Sequence, residues 1–101
     1  MHYNGIEIPL QRIQEYCKSR QIQELALFGS VLTKEFSAHS DIDVLVTFGP
    51  DSKYSLLDLA TIKSDLDGIF GRDVDLVEKA ALKNPFRRQA ILGSMEVIYE
   101  A

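Results

Sequence analysis

The run Asp41-Ile42-Asp43-Val44-Leu45-Val46-Thr47-Phe48 limits the folds open to this chain more than any other segment. It reads as a strand, in which successive side chains alternate between faces. Ile42, Val44, Val46 and Phe48 then project to one side, toward a core, and Asp41 and Asp43 to the other. Two residues at a rise of about 3.3 Å each set these carboxylates about 7 Å apart at Cβ, near enough to lean onto metal ions about 3.5–4 Å apart. A calcium loop is excluded, because the acidic pair runs straight into apolar residues with no glycine turn after it.

Gly29-Ser30 stands upstream, with ten residues between it and Asp41. A glycine that ends a strand lets backbone approach a ligand closely, and a serine capping a short helix over about 31–35 offers N–H groups and a hydroxyl to a phosphate. By itself the Asp pair is explained by a strand edge facing solvent. With Gly-Ser at this distance, a pattern reached by chance in on the order of one chain per thousand of this size, metal and phosphate become the better reading. Magnesium takes oxygen ligands and shares them with substrate phosphates, so two ions are expected, one on a triphosphate and one at an attacking hydroxyl. Such a site needs a third carboxylate. Asp75 supplies it if Asp73-Val74-Asp75-Leu76-Val77 is a strand lying beside the first as an inner neighbour; Asp73 shares its parity but stands at the strand's start.

The remaining segments frame this site. Pro9 to Arg20 has the spacing of an amphipathic helix, with Leu10, Ile13, Tyr16 and Cys17 on its apolar side. Glu24 to Phe28 reads as a buried strand. Ser55 caps a long helix carrying Leu56, Leu59, Ile62, Leu66, Ile69 and Phe70 and ending near Gly71. Asn84-Pro85 opens a last helix to about Gly93, with Phe86, Ala90 and Ile91 on one side, and Val97-Ile98-Tyr99 is a terminal strand or docking segment. The order predicts an α/β (α+β) fold, a small mixed sheet with helices mainly on one face, in a single domain over 1–101.

Charge narrows the partners. With a net charge of −4, a general grip on nucleic acid is not expected, since that affinity comes from many Lys and Arg on phosphates. Within the acidic chain, Arg87 and Arg88, beside Lys79 and Lys83, form a local basic patch that can reach a triphosphate or a protein partner, or simply coat a helix; Lys34 can approach phosphate from the short helix. His39, in the loop before the pair, reads as a solvated residue. The single cysteine, Cys17, permits no internal disulfide and fits a reducing, cytoplasmic setting, and neither a signal peptide nor a membrane-spanning stretch is read in the sequence.

Leu27-Phe28-Gly29-Ser30, ten residues, then Asp41-Ile42-Asp43-Val44-Leu45-Val46 resembles the minimal nucleotidyltransferases of the polymerase-beta superfamily. Ser55-Leu56-Leu57-Asp58-Leu59, Gly71-Arg72-Asp73-Val74-Asp75 and the closing Ile91 to Tyr99 extend the likeness over nearly the whole chain. The resemblance implies a polymerase-beta-like nucleotidyltransferase fold, with Asp41, Asp43 and Asp75 as metal-binding and catalytic acids and Gly29-Ser30 at the nucleotide. It also implies an antitoxin that pairs with a HEPN-domain RNase toxin and moves AMP from ATP to a toxin tyrosine. Two alternatives are a non-catalytic antitoxin acting by binding and a nucleotidyltransferase for a small molecule. The length leaves no room for an acceptor lobe, which favours a protein acceptor. Family members often follow Gly-Ser with a small residue, arginine and glycine; here the arginine position is Thr33, with Lys34 next to it.

Overall fold

In a computed structural model, which describes residues 2–101, the chain forms a four-stranded sheet with helices on both faces. A two-stranded hairpin, β1 (His2–Tyr3) and β2 (Ile6–Glu7), precedes α1 (Leu10–Ser19) and β3 (Ile22–Phe28). A 3₁₀ turn, Gly29–Leu32, and an irregular loop lead to β4 (Ile42–Phe48). Helix α2 (Leu56–Phe70) crosses to β5 (Val74–Glu78), and α3 (Pro85–Ser94) precedes β6 (Glu96–Glu100). The sheet order is β5-β4-β3-β6, parallel between β4 and β5 and antiparallel elsewhere. The expected mixed sheet is thus present, with β5 at its edge rather than inside. It still borders β4, which is what the placement of Asp75 requires.

The helix ends follow from local chemistry. Ser55 caps α2 in a reciprocal box, its hydroxyl accepting from the Asp58 N–H while the Asp58 carboxylate accepts from the Ser55 N–H at 2.8 Å. At the other end Gly71 adopts φ +70°, the left-handed conformation that closes helices. Asn84 caps α3 through the N–H groups of Phe86 and Arg87, and Pro85 occupies the first turn.

Alternation along β4 divides the core. Ile42, Val44 and Val46 join Leu25, Leu27, Val74 and Ile98 in the larger cluster, packed against Ile13 and Cys17 of α1 and Ile62, Leu66 and Phe70 of α2. On the other face Ala26, Phe28 and Leu45 meet Leu82 and Ile91, with Val77, Leu92 and Met95 at the margin. Two helices therefore cover one face and α3 the other. Not every residue of the helical patterns points inward: Leu56 and Phe86 are 85% and 82% exposed, and Ala90 is exposed too. Leu56 and Phe86 lie in first helical turns; Ile91 with half-buried Leu92 makes the apolar side of α3 instead.

The hairpin goes unpredicted, although Asn4-Gly5 is the dipeptide that favours a two-residue turn with positive φ at both positions. Asn4 has φ 47° and Gly5 φ 86°, with Tyr3 opposite Ile6. Strands of two residues are too short to leave a periodic pattern.

Candidate active site

Three chain segments meet at one end of the sheet. β3 ends at Phe28, which lies opposite Asp43 on β4, and Asp43 in turn lies beside Asp75 on β5. Shared parity places Asp43 and Asp75 on the α3 side of the sheet, beyond the part that α3 covers. Asp41 immediately precedes β4, is exposed, and lies close enough for its charge to act on Asp43.

Gly29 fits here because nothing larger would. Its φ is +74°, and an added Cβ would stand 2.1 Å from Oδ2 of Asp43. The backbone of the loop consequently lies against the carboxylate, and the N–H of Ser30 favours its charged form. Half-buried Asp43 has its carboxyl raised above the ordinary value by burial and then by the charges of Asp75 and Asp41; the Ser30 N–H and the positive charge of Arg87 pull the other way. Burial and crowded like charge thus concentrate a need for cations at Asp43.

The donor set suits magnesium in its chemistry, since all three groups are carboxylates on one end of the sheet. Among the described residues no group of three or more acidic, histidine or cysteine side chains is arranged to enclose an ion as it stands. Asp41 and Asp75 are exposed, in contrast to half-buried Asp43.

Ser30 departs from its expected role. It lies within the 3₁₀ turn rather than capping a helix over 31–35, and Phe28 occupies the cap position with no side-chain bond. Thr33 ends the turn: its N–H and its hydroxyl both donate to the Ser30 carbonyl, at 2.9 and 3.0 Å. The side chain at the family's arginine position is therefore spent on the loop itself. Lys34 is exposed on the following turn. Arg88 donates from one guanidinium nitrogen to the carbonyls of Lys79 and Leu82 at 3.1 and 3.5 Å, which ties the start of α3 to the turn before it. Arg87, of the basic patch, acts on Asp43. His39 is exposed, as read, and Tyr99 is buried in the main core.

Other positioning groups are invisible in the motif. Arg72 donates to the carbonyls of Ser37 and Ser40 at 2.8 and 2.6 Å and lies over the Phe36 ring, fixing the loop that delivers Asp41. Asp67 accepts from the Val74 N–H at 2.7 Å and sets the start of β5, while the Ile42 N–H donates to the Asp73 carbonyl. Beside Gly29 and Ser30 opens a cleft of about 570 Å³, walled by Tyr3, Leu32, Thr33, Glu35, Ser94 and Glu96. A space of this size is in the range of small-ligand sites.

Comparison with known proteins identifies the family. A model of the nucleotidyltransferase domain family matches residues 10–98. A Methanocaldococcus jannaschii protein with a provisional protein adenylyltransferase name is 40% identical over 72 residues, 70% of each chain. Protein adenylyltransferase MntA of Thermococcus cleftensis is 33% identical over 77% of this chain and 74% of its own. Among solved structures, a minimal nucleotidyltransferase superposes with a TM-score of 0.71 at 31% identity, covering 86% of both chains. Two more distant matches share the fold: a toxin-antitoxin with AMP-PNP (TM-score 0.73, 19% identity, 92% of this chain and 74% of that one) and the complex of a tri-AMPylated Shewanella oneidensis HEPN toxin with its MNT antitoxin (0.65, 19%, 91% and 70%). Since the family model covers most of the residues and relatives above 30% identity, named as protein adenylyltransferases, span more than two thirds of the chain, this protein belongs to the nucleotidyltransferase domain family.

Proposed function

We propose that the protein is an antitoxin that transfers AMP from ATP to a tyrosine hydroxyl of a HEPN RNase toxin. The observation that carries this is the contact of the Gly29-Ser30 loop with Asp43, itself beside Asp75: a close-approach backbone and an acidic cluster on one sheet end. Relatives named protein adenylyltransferase support the donor chemistry, and the AMPylated HEPN toxin seen with a structural relative supports the acceptor. The single cysteine and an RNase partner support a cytoplasmic setting; among the described residues no helix is long and apolar enough to cross a membrane.

Asp41, Asp43 and Asp75 would hold two magnesium ions, whose chemistry is to neutralise phosphate charge and to favour the ionised acceptor hydroxyl. The chain's own contribution is positioning. The loop at Gly29 brings backbone to the phosphates without side-chain obstruction, and the Ser30 hydroxyl and Arg87 offer a donor and a positive charge. The acceptor oxygen bonds to the α-phosphorus, the bond to the bridging oxygen breaks, and pyrophosphate leaves; the exposure of Asp75 beside Asp43 supports it as the group that takes the hydroxyl proton. Incubating protein, magnesium, α-labelled ATP and the unmodified partner tests this: label is expected on a partner tyrosine, and its absence rejects the enzymatic reading.

A second reading, neutralisation by binding without turnover, is favoured by Thr33, which supplies a loop-closing hydroxyl where the family often has a cation. Replacing Asp41 and Asp43 together by alanine separates the two. A binder still suppresses toxicity; a transferase does not.

A further inference from the structure

We infer that Asn4, in the N-terminal hairpin, is a positioning residue for nucleotide binding, clamping the Gly29-Ser30 loop from outside the Gly-Ser and Asp-x-Asp motif. This rests on the transferase reading above. The Asn4 side-chain amide donates to the Val31 carbonyl at 2.6 Å and to the Thr33 carbonyl at 2.7 Å. Both partners are carbonyl oxygens, which can only accept, so the atom between them must be the nitrogen, and its two hydrogens are both used.

The clamp reaches the site in two steps. Thr33, held by Asn4, donates twice to the Ser30 carbonyl, and the Gly29-Ser30 backbone lies against the Asp43 carboxylate. The other end is anchored as well: Tyr3 and Ile6 pack on the main core, and Ile8 just beyond the hairpin is 1% exposed. Asn4 takes φ 47°, which asparagine adopts more readily than other residues with a Cβ, so the turn aims its amide at the loop. The same hairpin gives Tyr3 to the cleft that Gly29 and Ser30 line. A 3₁₀ turn of four residues has little hydrogen bonding of its own, so external bonds decide whether its N–H groups are ordered before a phosphate arrives.

Asn4→Gly keeps the turn, because glycine takes this φ freely, and deletes both donors. The Kd for ATP in calorimetry without partner is expected to rise about tenfold, and the KM for ATP in adenylyl transfer with it, while kcat stays within about twofold. Asn4→Asp keeps the shape and faces a carboxylate toward two carbonyls, so its Kd should rise further than that of Asn4→Gly. Unchanged Kd in both variants overturns the inference, as does a fall in kcat with KM unmoved. Amide hydrogen exchange over residues 30–33 separates this from failure of the transferase reading. Faster exchange in Asn4→Gly supports the clamp even in a protein that moves no nucleotide; unchanged exchange rejects the clamp even in an active one.

Discussion

The sheet face toward α1 and α2 is apolar from Val74 and Ile42 through Val46 to Ile22, whereas the face toward α3 changes character partway along β4. Leu45 on that second face is 1% exposed beneath α3, while Asp43, two residues earlier, is half-buried against Gly29. One strand alternation therefore builds a continuous core on one side and, on the other, a small core that gives way to acids. The difference assigns stability mainly to the first face and chemistry to the uncovered end of the second.

Asp43→Asn should break that division most visibly. Adenylyl transfer to the partner is expected to fall about 10³-fold, the effect of losing several kcal/mol of charge stabilisation at a metal site. Stability should move the opposite way. The folded carboxyl titrates above its ordinary 3.8, so its contribution is fullest at lower pH, when it is protonated, and is lost as pH rises through the folded value. At neutral pH the ionised group is a burden that asparagine removes. A thermal melt of the variant should lie a few degrees above that of the parent; a lower melt would mean that Asp43 contributes to the fold as well as to the site.

The two cores are separated by Leu66→Ala and Ile91→Ala. Leu66 is fully buried in the larger cluster, and its truncation is expected to cost about 2–5 kcal/mol in denaturant unfolding. Ile91 is 8% exposed in a smaller cluster, so its loss should fall at the low end of that range. Equal losses would show that α3 is as much a part of the fold's stability as α2.

Much of this division was legible in the residues. Period-two alternation placed Ile42, Val44 and Val46 opposite Asp43, and parity narrowed the third acid to Asp73 and Asp75, of which the position inside the strand favoured Asp75, because these inferences need no more than strand geometry. Ser55, Gly71 and Asn84 were readable because caps are local. What escaped depends on contacts distant in sequence: the Asn4 bonds to Val31 and Thr33, and the Arg72 bonds to Ser37 and Ser40, join residues 27 to 35 positions apart. Ser30 was misplaced as a cap because a turn started by a left-handed glycine and closed by Thr33 leaves no helix beyond it to cap.

Gly29→Ala tests the junction of loop and strand. The positive φ costs about 1–2 kcal/mol for a residue with a Cβ, and the methyl would collide with Oδ2 of Asp43. The unfolding free energy should fall by somewhat more than the backbone term. In Gly29→Ala with Asp43→Ala the collision is gone and the backbone strain remains, so the double variant should regain part of the loss. Strict additivity would show that the two residues are not in contact.

Cys17 gives the smallest effect and reports on the first face alone. Its side chain is fully buried in the α1 contact with the sheet, and burial pushes its thiol from 9.0 up to about 12. The thiol is held neutral in the folded state and ionises more easily when unfolded. Its contribution is therefore complete below pH 9 and declines as pH rises toward the folded value. At pH 10 the parent should have lost about 1.4 kcal/mol, relative to neutral pH, that Cys17→Ala does not lose, a difference that cancels the titration of every other group. Alkylation gives the same information by rate. Because folded Cys17 is neither exposed nor ionised, iodoacetamide should react only through opening of the main core, and Ile91→Ala should speed it less than Leu66→Ala does. If Ile91→Ala speeds it equally, the two faces open together, and the uncovered acidic end is then carried by the same cooperative unit as the core behind it.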